Sequence, residues 1–150
     1  MSRLLSLMVI LLLATSGSVL VPTQAQNMSR EFHTDLSAGN QTRLTISPAS
    51  GTTDLVLDLT TLTLSWDVRF KDLISKPTAA TLNGPSQPGA NGLPYIDLAP
   101  NGIVSPLTGS AVLNEAEVQY LLTGWSYVNI TTEKWPFGEV RGQLDVGPRQ

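Results

Sequence analysis

Tyr127-Val128-Asn129-Ile130-Thr131-Thr132, followed by Glu133-Lys134-Trp135-Pro136-Phe137-Gly138-Glu139-Val140-Arg141-Gly142-Gln143-Leu144, reads as strand, Pro/Gly turn and strand. The closing strand is expected from Glu139 to Val146, with Val140, Leu144 and Val146 facing inward. Glu139, Arg141, Gln143 and Asp145 would then face outward. The Gly-Glu-Val-Arg-Gly-Gln run is not demanded by packing alone, so this hairpin is also the first place to look for a site.

Working outward, the clearest pattern lies upstream. In Asp54 to Leu59, residues Leu55, Leu57 and Leu59 share a face. After Thr60-Thr61, residues Leu62, Leu64, Trp66, Val68 and Phe70 share one face, and Thr63, Ser65, Asp67 and Arg69 share the other. A period of two describes a strand with one buried and one solvated face; a helix would scatter these apolar residues around its surface. Shorter strands are expected at Phe32 to Leu36, Leu44 to Ile46, Thr78 to Leu82, Tyr95 to Leu98 and Gly109 to Leu113. A Pro/Gly/Asn-rich loop runs from Asn83 towards Leu93. One helix is expected after Asn114, because Asn114 and Glu117 have the spacing of a capping box, Val118, Leu121 and Leu122 form an apolar stripe, and Gly124 is a stop. The sum is an all-β domain, an antiparallel β-sandwich or flattened barrel of immunoglobulin-like or dismutase-like shape, with one short helix near 115–123.

The chain opens Met1-Ser2-Arg3, then an apolar run from Leu4 to Ala14, then small residues to Thr23-Gln24-Ala25. That is the pattern of a signal peptide over 1–25, with cleavage expected after Ala25. The run is too short to span a bilayer, and no later segment is apolar enough to do so, so no membrane span is expected after signal removal. The protein is therefore expected to be exported, periplasmic or extracellular. Residues 26–31 read as a flexible lead-in, 32–146 as one domain and 147–150 as a loose tail. About 125 residues suffice for one real core. There is no cysteine, so neither disulfides, thiol catalysis nor thiolate metal sites are available. The formal charge of −3 becomes −4 without Arg3, and the absence of a basic cluster argues against nucleic acid as a partner.

With these elements in view, residues from Phe32 to Leu144 resemble a CHRD domain, the module named after chordin and also found alone in exported bacterial proteins. The resemblance is carried by Phe32 to Gly39, by Leu64-Ser65-Trp66 in the alternating hairpin, and by Thr78-Ala79-Ala80-Thr81-Leu82-Asn83-Gly84-Pro85 with Gly89-Ala90-Asn91-Gly92. It is carried most specifically by Leu121-Leu122-Thr123-Gly124, Tyr127-Val128-Asn129 and Gly138-Glu139-Val140-Arg141-Gly142-Gln143. The resemblance also exposes departures. Where the family usually reads Ala-His-Ile-His-Gly-Pro, the two histidine positions hold Thr81 and Asn83. Where it reads Tyr-Val-Asn-Val-His-Thr, the histidine position holds Thr131. Histidines at i and i+2 on one strand, with a third from another, could converge on a metal, whereas Thr and Asn are poor ligands for zinc or copper. They could still form a polar hydrogen-bonding cluster. The family's usual Glu-Val-Pro-Pro stretch is replaced by Asn40-Gln41-Thr42-Arg43.

Other candidate chemistry reads as structural. His33, the only histidine, stands two residues from Asp35 on a polar strand face without a nucleophile elbow, and is expected to be a solvated surface residue. Asp54/Asp58 and Glu115/Glu117 are carboxylate pairs, the first on a strand's outer face and the second at a helix N-terminus. Glu139 and Arg141 alternate to one face and suggest a charge pair that orders the sheet. Trp125, Tyr127, Trp135 and Phe137 are expected to be mostly core. The loop from Gly84 to Gly92 has no carboxylate for calcium. Sequons start at Asn27, Asn40 and Asn129.

The sequence thus points to a non-enzymatic exported binding or structural module without a cofactor or metal, for which a protein or glycan partner is possible and its identity is left open. Its candidate polar cluster is Thr81, Asn83, Asn129, Thr131, Glu139 and Arg141. The alternative, a metal-binding or redox protein on a dismutase-like sandwich, is disfavoured by Thr81, Asn83 and Thr131.

Overall fold

The computed structural model describes residues 28–145. The proposed leader, Val146 and the expected tail lie outside the described residues. Eight strands run antiparallel to their neighbours: β1 Ser29–Ser37, β2 Ser50–Asp58, β3 Thr63–Lys71, β4 Pro77–Gly84, β5 Leu93–Asp97, β6 Leu107–Val112, β7 Tyr127–Thr132 and β8 Val140–Gln143. They form one sheet in the order β5-β4-β7-β8-β1-β2-β3-β6, curled into a nearly closed barrel. The flattened-barrel form of the all-β expectation is the one adopted.

The alternation read in the sequence sets the inner face. Leu55 and Leu57 of β2, and Leu64, Trp66 and Val68 of β3, are buried against Phe32, Leu82, Val128, Ile130 and Val140. Each such side chain contributes roughly 1.5–3 kcal/mol relative to exposure. Trp66 Nε1 donates to Leu98 O at 3.0 Å, tying β3 to the residue just beyond β5 and drawing the two ends of the sheet together. The β2–β3 turn is held by Asp58, whose carboxylate accepts from Thr60 N and Thr61 N. These backbone bonds, Thr61 first, hold its pKa below the usual carboxylate value.

Helix α1, Glu115–Leu122, is the one α-helix among the described residues, and the capping box forms as expected. Glu117 N donates to Asn114 Oδ1 at 3.0 Å, and Asn114 N donates to Glu117 Oε2 at 2.9 Å. Val118 and Leu121 bury the helix against the core. No helix among the described residues is long and apolar enough to cross a membrane.

Three expectations change. β1 begins at Ser29, so Ser29 to Glu31 pair with Asp58 to Val56 of β2 rather than forming part of a free lead-in. Leu44 to Ile46 is no strand: it joins no partner in the sheet, and Leu44 and Ile46 are exposed. The outward group of the last strand is also not uniformly outward in the solvent sense, since Glu139 is 0% and Arg141 2% exposed. Loops cover that part of the sheet, and a periodicity-two argument has no means of seeing a loop fold over a strand's far face.

Candidate functional site

Register brings the candidate residues together. β4 and β7 pair so that Thr81 faces Asn129, Asn83 faces Tyr127 and Ala79 faces Thr131; β7 and β8 pair Asn129 with Arg141 and Tyr127 with Gln143. Because side chains alternate, Thr81, Asn83, Asn129, Thr131 and Arg141 all project from the outer face. Val128, Ile130 and Val140 take the inner one.

Two segments and the β7–β8 turn rise around this polar patch and make a cleft of about 570 Å³. Its floor includes Thr81, Asn83, Asn129 and Thr131. Its walls include Gln41 to Thr45, Asn91 to Gly92 and Trp135 to Gly138. Thr81 Oγ1 donates to Asn83 Oδ1 at 2.7 Å, and Asn83 Nδ2 reaches Gly92 O at 3.3 Å. Asn129 is a clamp: its Oδ1 accepts from Gln41 Nε2 at 3.0 Å and its Nδ2 donates to Phe137 O at 3.1 Å. Buried and engaged at both ends, Asn129 is a poor glycan acceptor in the folded protein. Thr131 Oγ1 shares a 2.8 Å bond with Thr78 Oγ1 and remains partly exposed.

Arg141 lies beneath the cleft rather than in it. Its guanidinium sits 3.5 Å from the Tyr127 ring centroid. It donates to Asn91 Oδ1 at 3.0 Å, Ala90 O at 2.7 Å and Gln143 Oε1 at 3.3 Å. Tyr127 in turn donates its hydroxyl to Gly92 O at 3.0 Å. Arg141 therefore holds the 90–92 loop against the sheet. Burial pushes its pKa down from the ordinary arginine value, while Tyr127 pulls the other way. Among the described residues it meets no carboxylate.

Glu139 does not join this group. Its carboxylate accepts from Ser47 Oγ at 2.6 Å, Ile74 N at 2.8 Å and Thr132 Oγ1 at 2.8 Å. The expected Glu139–Arg141 charge pair is thus replaced by two separate anchors, one for the 47 and 74 loops and one for the 90–92 loop. The flanking glycines follow from the same closeness. Gly138, at φ +136°, would with a Cβ collide with Asn129 Oδ1 and the Gln41 side chain; at Gly142 a Cβ would meet Thr34 and Asp35 O of β1. This accounts for the polar run that packing did not explain.

The aromatic expectation divides. Tyr127 is buried, but under Arg141 rather than in the apolar core. Trp135 is half-buried, and Trp125 and Phe137 are exposed at 43% and 67%, so those two are not core residues. Trp135 and Phe137 line the cleft. Arg43 lies over the Phe137 ring, 4.0 Å from its centroid. His33 is exposed on β1, as read from the sequence, but it is not solitary: its Nδ1 lies 3.0 Å from Asp54 Oδ1 and its Nε2 3.8 Å from Asp35 Oδ1. No three His, Cys, Asp or Glu residues among the described residues are grouped so as to hold a metal ion.

The profile of the CHRD domain family matches residues 32–144. The chain belongs to the CHRD domain family. Comparison with curated proteins gave no match, and comparison with solved structures gave none. In this CHRD domain the departures from the family's usual pattern noted above fall on one place. Thr81, Asn83 and Thr131 stand on the cleft floor, and Gln41, Thr42 and Arg43 of the replaced stretch form its wall. The wall residues were missed as site residues in the sequence, although the Asn40-Gln41-Thr42-Arg43 replacement was the available signal. Asn91 and Gly92 gave no signal beyond a loop-forming composition.

Proposed function

We propose that this CHRD domain is an exported, non-enzymatic binding module whose ligand seat is the cleft between the 41–45 segment, the 91–92 loop and the β7–β8 turn. The observation that carries the reading is the convergence of Thr81, Asn83, Asn129 and Thr131 on one open cleft with a partly exposed aromatic wall. Pockets of several hundred Å³ with convergent polar groups on a rigid sheet suit ligand recognition. Among the described residues, the lining side chains include hydroxyls, amides, aromatic rings and one guanidinium but no aspartate, glutamate, histidine or cysteine. That composition favours holding a ligand over general acid–base or nucleophilic chemistry. Export rests on the leader pattern of residues 1–25.

The test has two parts. N-terminal sequencing of the protein recovered from outside the cytoplasm should begin at Gln26. Display of the purified protein on glycan and peptide arrays should give binding that Thr131→Trp, which fills the cleft floor, abolishes without loss of fold. Binding that survives this substitution would place the seat elsewhere.

A further inference from the structure

The cleft has an electrostatic character that the whole chain lacks. The protein is acidic, with a formal charge of −3, yet among the described residues the one charged side chain lining the cleft is Arg43. Its guanidinium lies over the Phe137 ring, 4.0 Å from its centroid, and, among the described residues, meets no carboxylate. Behind the cleft wall lies Arg141, buried and, among the described residues, hydrogen-bonded only to the neutral acceptors of Asn91, Ala90 and Gln143. Arginine keeps its charge in proteins, so a buried guanidinium without a counter-ion leaves a positive field in its surroundings. Lys134, 5.8 Å from the Trp135 ring centroid, stands in the β7–β8 turn beside the exposed Glu133, so this turn adds no net charge. On the paired strands, Asp97 stands opposite Thr81 and is engaged by its own loop through Ala99 N at 2.9 Å.

The neutral groups add a second constraint. Thr42, Thr45 and Thr81 already donate their hydroxyl protons, to Asn91 Oδ1, Arg43 O and Asn83 Oδ1, and Thr131 Oγ1 shares a bond with Thr78 Oγ1, so the threonine oxygens lining the cleft are left to accept from the hydroxyls of a polyhydroxylated ligand. Trp135 and Phe137 supply ring surface for apolar sugar faces. The floor strand β4 is paired on both sides, with β5 and β7, and β7 is paired with β4 and β8. The floor therefore offers side chains rather than the free strand edge by which an extended peptide adds to a sheet.

Resting on the cleft as the ligand seat, we infer that the ligand is an acidic oligosaccharide, with a uronate carboxylate on Arg43 and its hydroxyls on the cleft threonines. A planar guanidinium presents its paired N–H groups as a fork that matches a carboxylate.

The experiment is calorimetric titration of the purified protein with oligogalacturonates, with the same oligomers after carboxyl reduction, and with an oligoglutamate peptide, the contacts being mapped by NMR shifts. The uronates should bind, carboxyl reduction should weaken binding about tenfold or more, and Arg43→Gln should do the same, as loss of one charge-assisted contact implies. His33→Asn, on β1, should change nothing. Equal binding of acidic and reduced oligomers at the mapped cleft would overturn the acidic ligand while leaving the binding seat intact. Tighter binding of oligoglutamate at the same cleft would overturn the saccharide. Uronate binding indifferent to both Arg43→Gln and Thr131→Trp would overturn the seat and the ligand together, and no binding of any probe would overturn the ligand class.

Discussion

Replacing Glu139 tests how the two buried anchors hold the loops. The carboxylate is fully buried and accepts three hydrogen bonds, two of them, from Ser47 and Ile74, on Oε1 and one, from Thr132, on Oε2. Glu139→Leu removes both acceptor oxygens and so all three bonds. Thr132 is wholly buried, so its orphaned hydroxyl costs about 1–3 kcal/mol. The Ser47 and Ile74 bonds are only part-buried, and water replaces them at a net loss of about 0.5–1.5 kcal/mol each. Relief of the carboxylate's own desolvation offsets some of this. The expected loss is about 2–5 kcal/mol, a large share of the roughly 5–15 kcal/mol available to a domain. Glu139→Gln separates hydrogen bonding from charge. Its oxygen can keep Ser47 and Ile74, and its amide can donate to Thr132 Oγ1, which already accepts from Trp135 N at 3.2 Å. Only the Thr132 proton loses its acceptor, so about 1 kcal/mol is expected. Urea unfolding at constant m-value measures both. A Leu variant within roughly 0.5 kcal/mol of the parent would refute the anchoring role. A Gln variant as damaged as Leu would show that charge, rather than the number of acceptors, holds the loops.

Three further outcomes are expected. The triple variant Thr81→His, Asn83→His, Thr131→His should gain stoichiometric zinc, since Thr81 and Asn83 already touch and Thr131 lines the same floor; mass measurement of the metal-loaded protein reads this, and no gain would show that the floor cannot converge three imidazoles. Trp135→Phe should leave stability unchanged or raise it, because Trp135 Nε1 is buried without an acceptor among the described residues and its removal deletes an unsatisfied donor; a marked drop in urea midpoint would contradict that account. Burial raises the Tyr95 phenol above its ordinary value, against the opposing hydrogen bond with Ser126. The fold therefore favours the neutral form: this stabilisation is complete below the ordinary tyrosine pKa of about 10 and is lost as pH rises through the folded value. Tyr95→Phe should thus flatten the alkaline fall in stability, and an unchanged alkaline limb would assign that fall to another group.

Much of the barrel was legible in one dimension. The alternation of Leu55 to Leu59 and Leu62 to Phe70 became β2 and β3, except that the turn expected at Thr60-Thr61 also takes in Leu59 and Leu62, and Asn114 with Glu117 became the capping box. These are local effects: side-chain alternation and a cap depend on residues a few positions apart. Membership of the CHRD family was legible too, through the residues from Leu121 to Gln143. The candidate cluster was half legible. Thr81, Asn83, Asn129 and Thr131 do meet, because i and i+2 on paired strands must share a face.

What needed the tertiary structure was the fate of the outer face. Arg141 and Glu139 read as solvated because an alternating strand normally wets one side, yet loops from residues 47, 74 and 90–92, distant in sequence, bury both and give them different partners. The Leu44 to Ile46 segment likewise has a strand's composition without a strand's partner. A residue's alternation states which way it points; only the packed chain decides whether water or another loop is waiting there.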